Sequence, residues 1–305
     1  MSSKKNISII GATGNLGVPV VLNLSNMGFE IKVISRNSEK ANKLFKHLNN
    51  VEVVEADLRN KPDLKMALSG TSYLYLNLST NTMDVNSPFL PEREGVANII
   101  ESVDRNSLKQ IISISGLGAM DNVYAKSSFK FIPNIVRKQG HRLIKDSNIP
   151  YTILHCTWFA DSFVLYRRKN IYSVIGNNTR PIYFTNCYDY SRHLANAIGN
   201  SEAYCKEFPI QGANAYIHSK AAEEFFNIYN NKTKVRLLPL KFIKFLSFFV
   251  KDLKFIKHMA DYFNQFDEEL ITGDYNTYET LGHPKYNIKE YALMLNKNKF
   301  YSYLA

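Results

Sequence analysis

The chain has 305 residues, enough to bury a large core as one elaborate domain or two lobes, and its 45% hydrophobic and 21% charged content is that of a folded globular protein. Its three cysteines, Cys156, Cys187 and Cys205, form neither a disulfide framework nor a metal-ligand spacing, which predicts a reducing, cytoplasmic home and no metal site. A net charge of +11 suits nucleic acid, a membrane surface or an anionic small molecule; its spread over the whole chain, with no arginine-rich tract, zinc-finger spacing or RNP-like signature, argues against nucleic acid.

Lys4-Lys5 lead into an apolar run far too short for a signal peptide, and no stretch has the length of a membrane-spanning helix. That run, Ile7-Ser8-Ile9-Ile10, predicts a first strand. It enters Gly11-Ala12-Thr13-Gly14-Asn15-Leu16-Gly17 and then a helix over 16–27 stopped by Gly28. Strand, glycine-rich turn and helix in this order are what a phosphate-binding unit requires. The glycines allow a sharp turn and a close backbone approach, and the free N–H groups and dipole of the helix start face the anion. Gly11, Thr13, Gly14, Asn15, Leu16 and Gly17 are therefore the expected pyrophosphate turn. A second strand over 31–35 ends in Ser35-Arg36-Asn37, where the adenosine ribose falls in such units. NAD calls for an acidic residue there. Arg36, with Lys40 one helical turn later, suits a 2′-phosphate, so NADP(H) is expected over NAD(H).

A helical stripe of Ala41, Leu44, Phe45 and Leu48 follows, then a strand over 51–55. Asp57 and Leu58 just past it lie near the adenine in folds of this type, although Asp57 equally suits an N-cap for the next helix. Helix 61–69, strand 72–78 ending at Asn77, helix 94–106, strand 110–114 ending at Ser115, helix 132–147 and strand 150–155 complete the alternation. Parallel neighbours need crossover connections, so the pattern predicts an α/β fold with a doubly wound parallel sheet. Ligands sit at the carboxyl ends of such strands, which gathers Gly11, Arg36, Asp57, Asn77 and Ser115 on one edge. With the sheet complete at six strands, residues 1–157 form the dinucleotide domain. Residues 158–305 form a smaller C-terminal substrate lobe interleaved with it. In that lobe residues 240–258 read as one helix with lysines at helical spacing between phenylalanines and leucines. Such a helix packs into the lobe with snorkelling lysines, walls an apolar pocket, or makes peripheral contact with an anionic membrane surface.

The accumulated residues resemble the NmrA-like branch of the atypical short-chain dehydrogenases/reductases. The resemblance rests on GATGNLG, Arg36 followed by Lys40-Ala41, Glu94-Gly95 with Asn98-Ile99, Ser115 and the run Pro150-Tyr151-Thr152-Ile153-Leu154. Tyr188-Asp189-Tyr190 and Leu281-Gly282-His283-Pro284 extend it along nearly the whole chain. It implies a Rossmann-type domain that binds NAD(P). It does not imply one chemistry, since some members reduce substrates with NADPH and others bind the dinucleotide as a signal.

The wider superfamily's catalytic tyrosine and lysine, four residues apart after strand five, are missing. Tyr124 is followed at that spacing by Ser128, and Tyr216 with Lys220 falls about a hundred residues after Ser115, in a segment where the pairing reads as coincidence. Alignment on Ile149-Pro150-Tyr151 puts Arg137 and His141 where the atypical branch carries a lysine or histidine and a glutamate. Arg137 could touch a ribose but cannot shuttle a proton. His141 could act as a general acid or be an exposed helical histidine. Ser115, Tyr124 and His155 are the candidates to hold an acceptor, Ser115 equally serving to cap its turn. The leading expectation is an NADPH-dependent oxidoreductase of a small apolar or aromatic carbonyl, quinone or enone-like acceptor. The alternative is a non-catalytic NADP-binding sensor that reports to a protein partner.

Overall fold

Alternating strands and helices build the first half of the molecule, in a computed structural model that describes residues 6–80, 82–121, 129–176, 179–247, 250–265, 267–271, 273–298 and 301. In chain order these are β1 (Asn6–Ile10), α1 (Gly17–Asn26), β2 (Glu30–Ser35), α2 (Ser38–Phe45), β3 (Val51–Glu55), α3 (Lys61–Ala67), β4 (Tyr73–Leu76), α4 (Val96–Ser102), β5 (Gln110–Gly116), α5 (Ile132–Asp146) and β6 (Tyr151–Cys156). The second half holds α6 (Ser162–Leu165), β7 (Ile171–Ile175), β8 (Pro181–Ile182), α7 (Cys187–Ala197), β9 (Lys206–Ile210), β10 (Tyr216–Ile217), α8 (His218–Tyr229) and β11 (Lys234–Leu238). It ends with α9 (Leu240–Leu246), α10 (Lys251–Phe263), α11 (Thr277–Leu281) and α12 (Ile288–Asn298). Short polar caps start several helices: Asn37, Asn60 and Asn186 each accept a backbone N–H from the first turn of α2, α3 and α7.

The main sheet is parallel throughout, in the order β3-β2-β1-β4-β5-β6-β9. Strand order reverses between β1 and β4, and that switch point opens a crevice at the carboxyl ends of the strands. One sheet face is covered by α1, α2 and α7, with Val20, Val21, Leu24, Tyr190 and Leu194 in its core. The other is covered by α3, α4 and α5, around Leu64, Ile99, Ile111 and Ile144. A third apolar cluster, centred on Phe163, Phe225, Phe226 and Tyr291, is the core of the C-terminal lobe.

Two expectations change. The sheet is not complete at β6, because β9 pairs with it from Thr152↔Lys206 to Cys156↔Ile210. In addition, α7 packs on α1, where Asn23 Nδ2 donates to Cys187 O and to Ser191 Oγ, each at 3.2 Å. Residues 187–210 thus return to the dinucleotide layer, and the lobes interleave more deeply than a division at 157 allows. The stretch 240–258 is two helices rather than one. Ser247 ends α9 by folding its hydroxyl onto Lys244 O at 2.7 Å, and Val250 is extended. Asp261 then draws the two helices together, binding Lys244 at 3.3 Å and Lys257 at 2.7 Å.

The lobe is tied down at Asp161. Its fully buried carboxylate accepts from the hydroxyls of Tyr291, at 2.6 Å, and Tyr301, and from Cys187 N at 2.8 Å. One side chain thereby joins the segment after β6, the start of α7 and the C-terminal helix. Among the described residues no helix is long and apolar enough to cross a membrane.

Candidate active site

The turn between β1 and α1 is shaped by close backbone contacts. Gly11 has φ +86°, and a Cβ on it would lie 2.1 Å from Asn77 O; one on Gly17 would lie 2.3 Å from Gly11 O. Only glycine permits either approach. Asn77 locks the turn to β4, its N–H donating to Ile10 O at 2.9 Å and its side-chain amide to Gly11 O at 3.2 Å. The start of α1 carries no side-chain cap; Val18 N–H donates to Gly14 O at 3.1 Å, and Pro19 has no N–H to satisfy.

From this turn a cleft of about 950 Å³ runs across the strand ends into the C-terminal lobe. Thr13, Gly14, Asn15, Leu16 and Lys40 line one end, and Asn77, Leu78, Ser79, Thr80, Ser115 and Gly116 line its middle. The far end is walled by Phe131, Trp158, Phe255, Met259, Tyr262 and Phe263, with Asn134, Thr157, His218 and Glu268 supplying polar atoms. Aromatic stacking holds that wall: Phe131 lies on Tyr262 with ring centres 4.6 Å apart, and Trp158 meets Phe263 edge to face at 4.5 Å. Arg137 reaches the cleft between Glu92, at 2.8 Å, and Asn134, at 3.1 Å. The other Glu92 oxygen accepts Thr80 N at 2.6 Å, so the ion pair also braces the loop after β4.

A family model described as NAD(P)H-binding matches residues 11–176, more than half of the chain. The chain belongs to the NAD(P)H-binding family. It is 22% identical over 247 residues to the photosystem II assembly factor Ycf39 of Trieres chinensis, covering 79% of this chain and 75% of that one. It is 29% identical over 111 residues to the NmrA-like family domain-containing oxidoreductase himF of Aspergillus japonicus, 36% of this chain and 34% of that one. The Escherichia coli NADPH-dependent quinone oxidoreductase, solved with NADPH, shares the fold with a TM-score of 0.67 at 23% identity, covering 95% of this chain and 99% of that chain.

In this NAD(P)H-binding protein the residues present fit a dinucleotide. The turn residues Thr13, Gly14, Asn15 and Leu16 line the cleft, where the backbone of a glycine-rich turn at a helix start can receive a pyrophosphate. The buried hydroxyl of Thr80, also on the cleft, has no hydrogen-bond partner among the described residues, which is the mark of a group awaiting a ligand. Lys40 lines the same end of the cleft as the turn, its Nζ donating to Thr13 O at 3.3 Å, and Arg36 stands exposed just past β2.

Other expected site residues are placed elsewhere. Asp57 and Leu58 do not line the cleft: Asp57 accepts Arg59 N at 2.8 Å in a local turn, and Leu58 packs beside Gly95. Tyr124 lies outside the described residues. Ser115 does reach the cleft, buried at the end of β5. Tyr216 does not; it pairs in β10 with Ile182.

His141 and His155 are corrections. Both are buried behind the strand ends, ring centres 5.4 Å apart, and neither lines the cleft. Desolvation, reinforced by His155, pulls the His141 imidazole down to about 3, which leaves it without a proton to give at neutral pH. The two His155 ring nitrogens face Gly116 O at 3.3 Å and Glu207 at 2.7 Å. Burial raises the Glu207 carboxyl, but hydrogen bonds from His155 and Lys145 outweigh it and hold it at about 2. His141, His155 and Glu207 offer donor atoms within 4.8 Å of one another, as a metal would require. Lys145 and His155 already take the two oxygens of the Glu207 carboxylate, however.

The sequence reading missed the polar groups at the aromatic end of the cleft, Asn134, Thr157, His218 and Glu268. No motif marks them. Only the expectation that 240–258 could wall an apolar pocket pointed there, and its second half does so through Phe255 and Ile256.

Proposed function

We propose that the protein uses NADPH to reduce a small apolar or aromatic carbonyl, quinone or enone-like acceptor. The single observation that carries this reading is the unbroken cleft from the pyrophosphate turn to an aromatic chamber. Bound NADPH supplies a hydride, and the chain's task is to hold the acceptor in line with it and away from water. Trp158, Phe131, Tyr262 and Phe263 present flat apolar faces that suit a conjugated ring. Arg137, held by Glu92 and Asn134, stands over Gly116 as a fixed cation. The quinone oxidoreductase of the same fold supports the reading. The test is steady NADPH consumption with a panel of quinones and aromatic carbonyls; tight NADPH binding with no turnover would favour the sensor instead.

Cofactor preference rests on Arg36 and Lys40. A guanidinium makes two charge-assisted hydrogen bonds to a 2′-phosphate, each worth about 1.5–3 kcal/mol. NADP(H) is therefore expected to bind tighter than NAD(H) by roughly tenfold to a few hundredfold. Calorimetric titration of both cofactors against the parent and Arg36→Ala decides it. A preference that survives the substitution would remove Arg36 from the role.

A second reading, peripheral contact with an anionic bilayer, is favoured by the exposure of Phe242 and Phe245 on α9, 54% and 61%, beside exposed Lys241. Sedimentation with phosphatidylserine vesicles is expected to carry the parent down and to lose the double variant Phe242→Ser, Phe245→Ser. Equal recovery of both in the supernatant would end this reading.

A further inference from the structure

We propose that Glu268 is the catalytic acid of this cleft, giving the acceptor its proton as the hydride arrives. The inference rests on the reductase reading above and names the group that completes the chemistry. Hydride addition to a carbonyl or quinone leaves a developing oxyanion, and a proton donor in an apolar chamber must neutralise it.

Glu268 has the position. It lines the aromatic end of the cleft together with Thr157, Trp158 and Tyr262. It is also held there from two strand ends. Thr157, just past β6, donates its hydroxyl to one carboxylate oxygen at 2.6 Å. Gln211, just past β9, donates to the other at 2.7 Å. Gln211 also clamps the loop around Glu268, donating to Glu269 O at 3.0 Å and accepting Ile271 N at 2.8 Å. Both partners are buried, so the carboxyl is set by the rigid sheet rather than by its loop.

It also has the protonation. Burial pushes the carboxyl up to about 7, against hydrogen bonds from Thr157, Gln211 and the Tyr183 backbone. The groups bonded to it are thus uncharged. On α10 the Tyr262 phenol is raised by burial and by the Glu268 charge, while Arg137 on α5 lowers it. The sequence neighbour Asp267 is turned away into an ion pair with Arg180. Two other ionisable groups at this end are unsuited to the task. Arg137 is a permanent cation. Burial draws His218 down to about 4, leaving a neutral imidazole 3.0 Å from the Tyr172 hydroxyl. A carboxylic acid poised near neutrality is the suitable donor.

The step balances without a further reagent. The acceptor gains a hydride at carbon, with its electron pair, from the reduced cofactor. The C=O π electrons move to oxygen, and the O–H bond of Glu268 breaks as the new O–H bond forms. Acceptor is reduced, cofactor oxidised, and the Glu268 carboxylate regains its proton from solvent through the open cleft.

The experiment follows NADPH oxidation by 1,4-naphthoquinone and by aromatic aldehydes in the parent and in Glu268→Gln. Glutamine keeps both contacts, its oxygen taking Gln211 and its amide donating to Thr157. The expected result is a parent kcat that falls as pH rises through about 7, as the proton-bearing form is lost. The variant should lose roughly 10²–10⁴-fold in kcat and this pH dependence, with NADPH affinity unchanged. A variant with the parent's rate and profile overturns the role of Glu268 while leaving the reductase reading in place. A parent profile flat across neutrality overturns it as well, with no dependence on how the variant folds. A parent that binds NADPH and turns over none of the acceptors sinks the reductase reading, and this proposal with it.

Discussion

Asp161→Ala is expected to destabilise the protein by about 3–6 kcal/mol, seen as a fall in the urea midpoint and a loss on the order of 10 °C in Tm. The reason is the number of donors that converge on one carboxylate. Tyr291, Tyr301 and the Cys187 N–H all point at Asp161, and all four residues are buried. Alanine removes the acceptor and leaves three donors in an apolar setting, each costing about 1–3 kcal/mol when unmet. The elements joined there are far apart in the chain, so the loss should loosen α12 and the start of α7 together. Asp161→Asn retains one acceptor oxygen and should cost markedly less. A change below about 1 kcal/mol in the alanine variant would show that the tyrosine hydroxyls find other partners.

Gly11→Ala is expected to cripple dinucleotide binding and lower the melting temperature at the same time. The left-handed backbone at φ +86° costs an L-residue about 1–2 kcal/mol. The added Cβ would also lie 2.1 Å from Asn77 O, a backbone atom on the adjoining segment that cannot swing aside. Forcing a methyl into such a contact costs about 1–3 kcal/mol. Relief requires the turn to lift off the end of β4, breaking the Asn77 bonds to Ile10 and Gly11 that give the cofactor end of the cleft its shape. NADPH affinity should therefore fall by about a hundredfold or more, measured by calorimetry. Gly14→Ala is the contrast. Its Cβ would meet only Gly11 O, at 3.4 Å, so the fold should survive while the methyl crowds the cleft itself. Equal melting temperatures for parent and Gly11→Ala would show the turn to be more compliant than its contacts imply.

The dinucleotide half was legible because its signals are local. A glycine that must take a positive φ, an apolar run of strand length and a helix with one apolar stripe each depend on neighbours a few residues away. Hence 7–10, the Gly11–Gly17 turn and the order of alternating elements through β6 could be read directly, and with them the parallel sheet and the side on which ligand would sit. The same reasoning placed Ser115 close to the cleft, and the family resemblance pointed to Arg137, which also lines it. It misjudged His141 and His155, because periodicity shows which residues share a helix face but not whether that face meets solvent. Here Glu207 comes from β9, 52 residues after His155, to enclose the pair.

The sequence by itself determined an NAD(P)H-binding α/β sheet and the turn that would grip its ligand. Only the tertiary structure decided that β9 is the seventh strand, that 240–258 breaks into two helices, and what walls the substrate chamber. Those walls are contacts between distant segments: Thr157 and Glu268 lie 111 residues apart, Gln211 and Glu268 57 apart. No local pattern encodes such a meeting. It exists because the sheet brings the ends of β6 and β9 side by side and the last third of the chain folds back across them, so burial and hydrogen bonding give Glu268 a character that no glutamate carries in sequence.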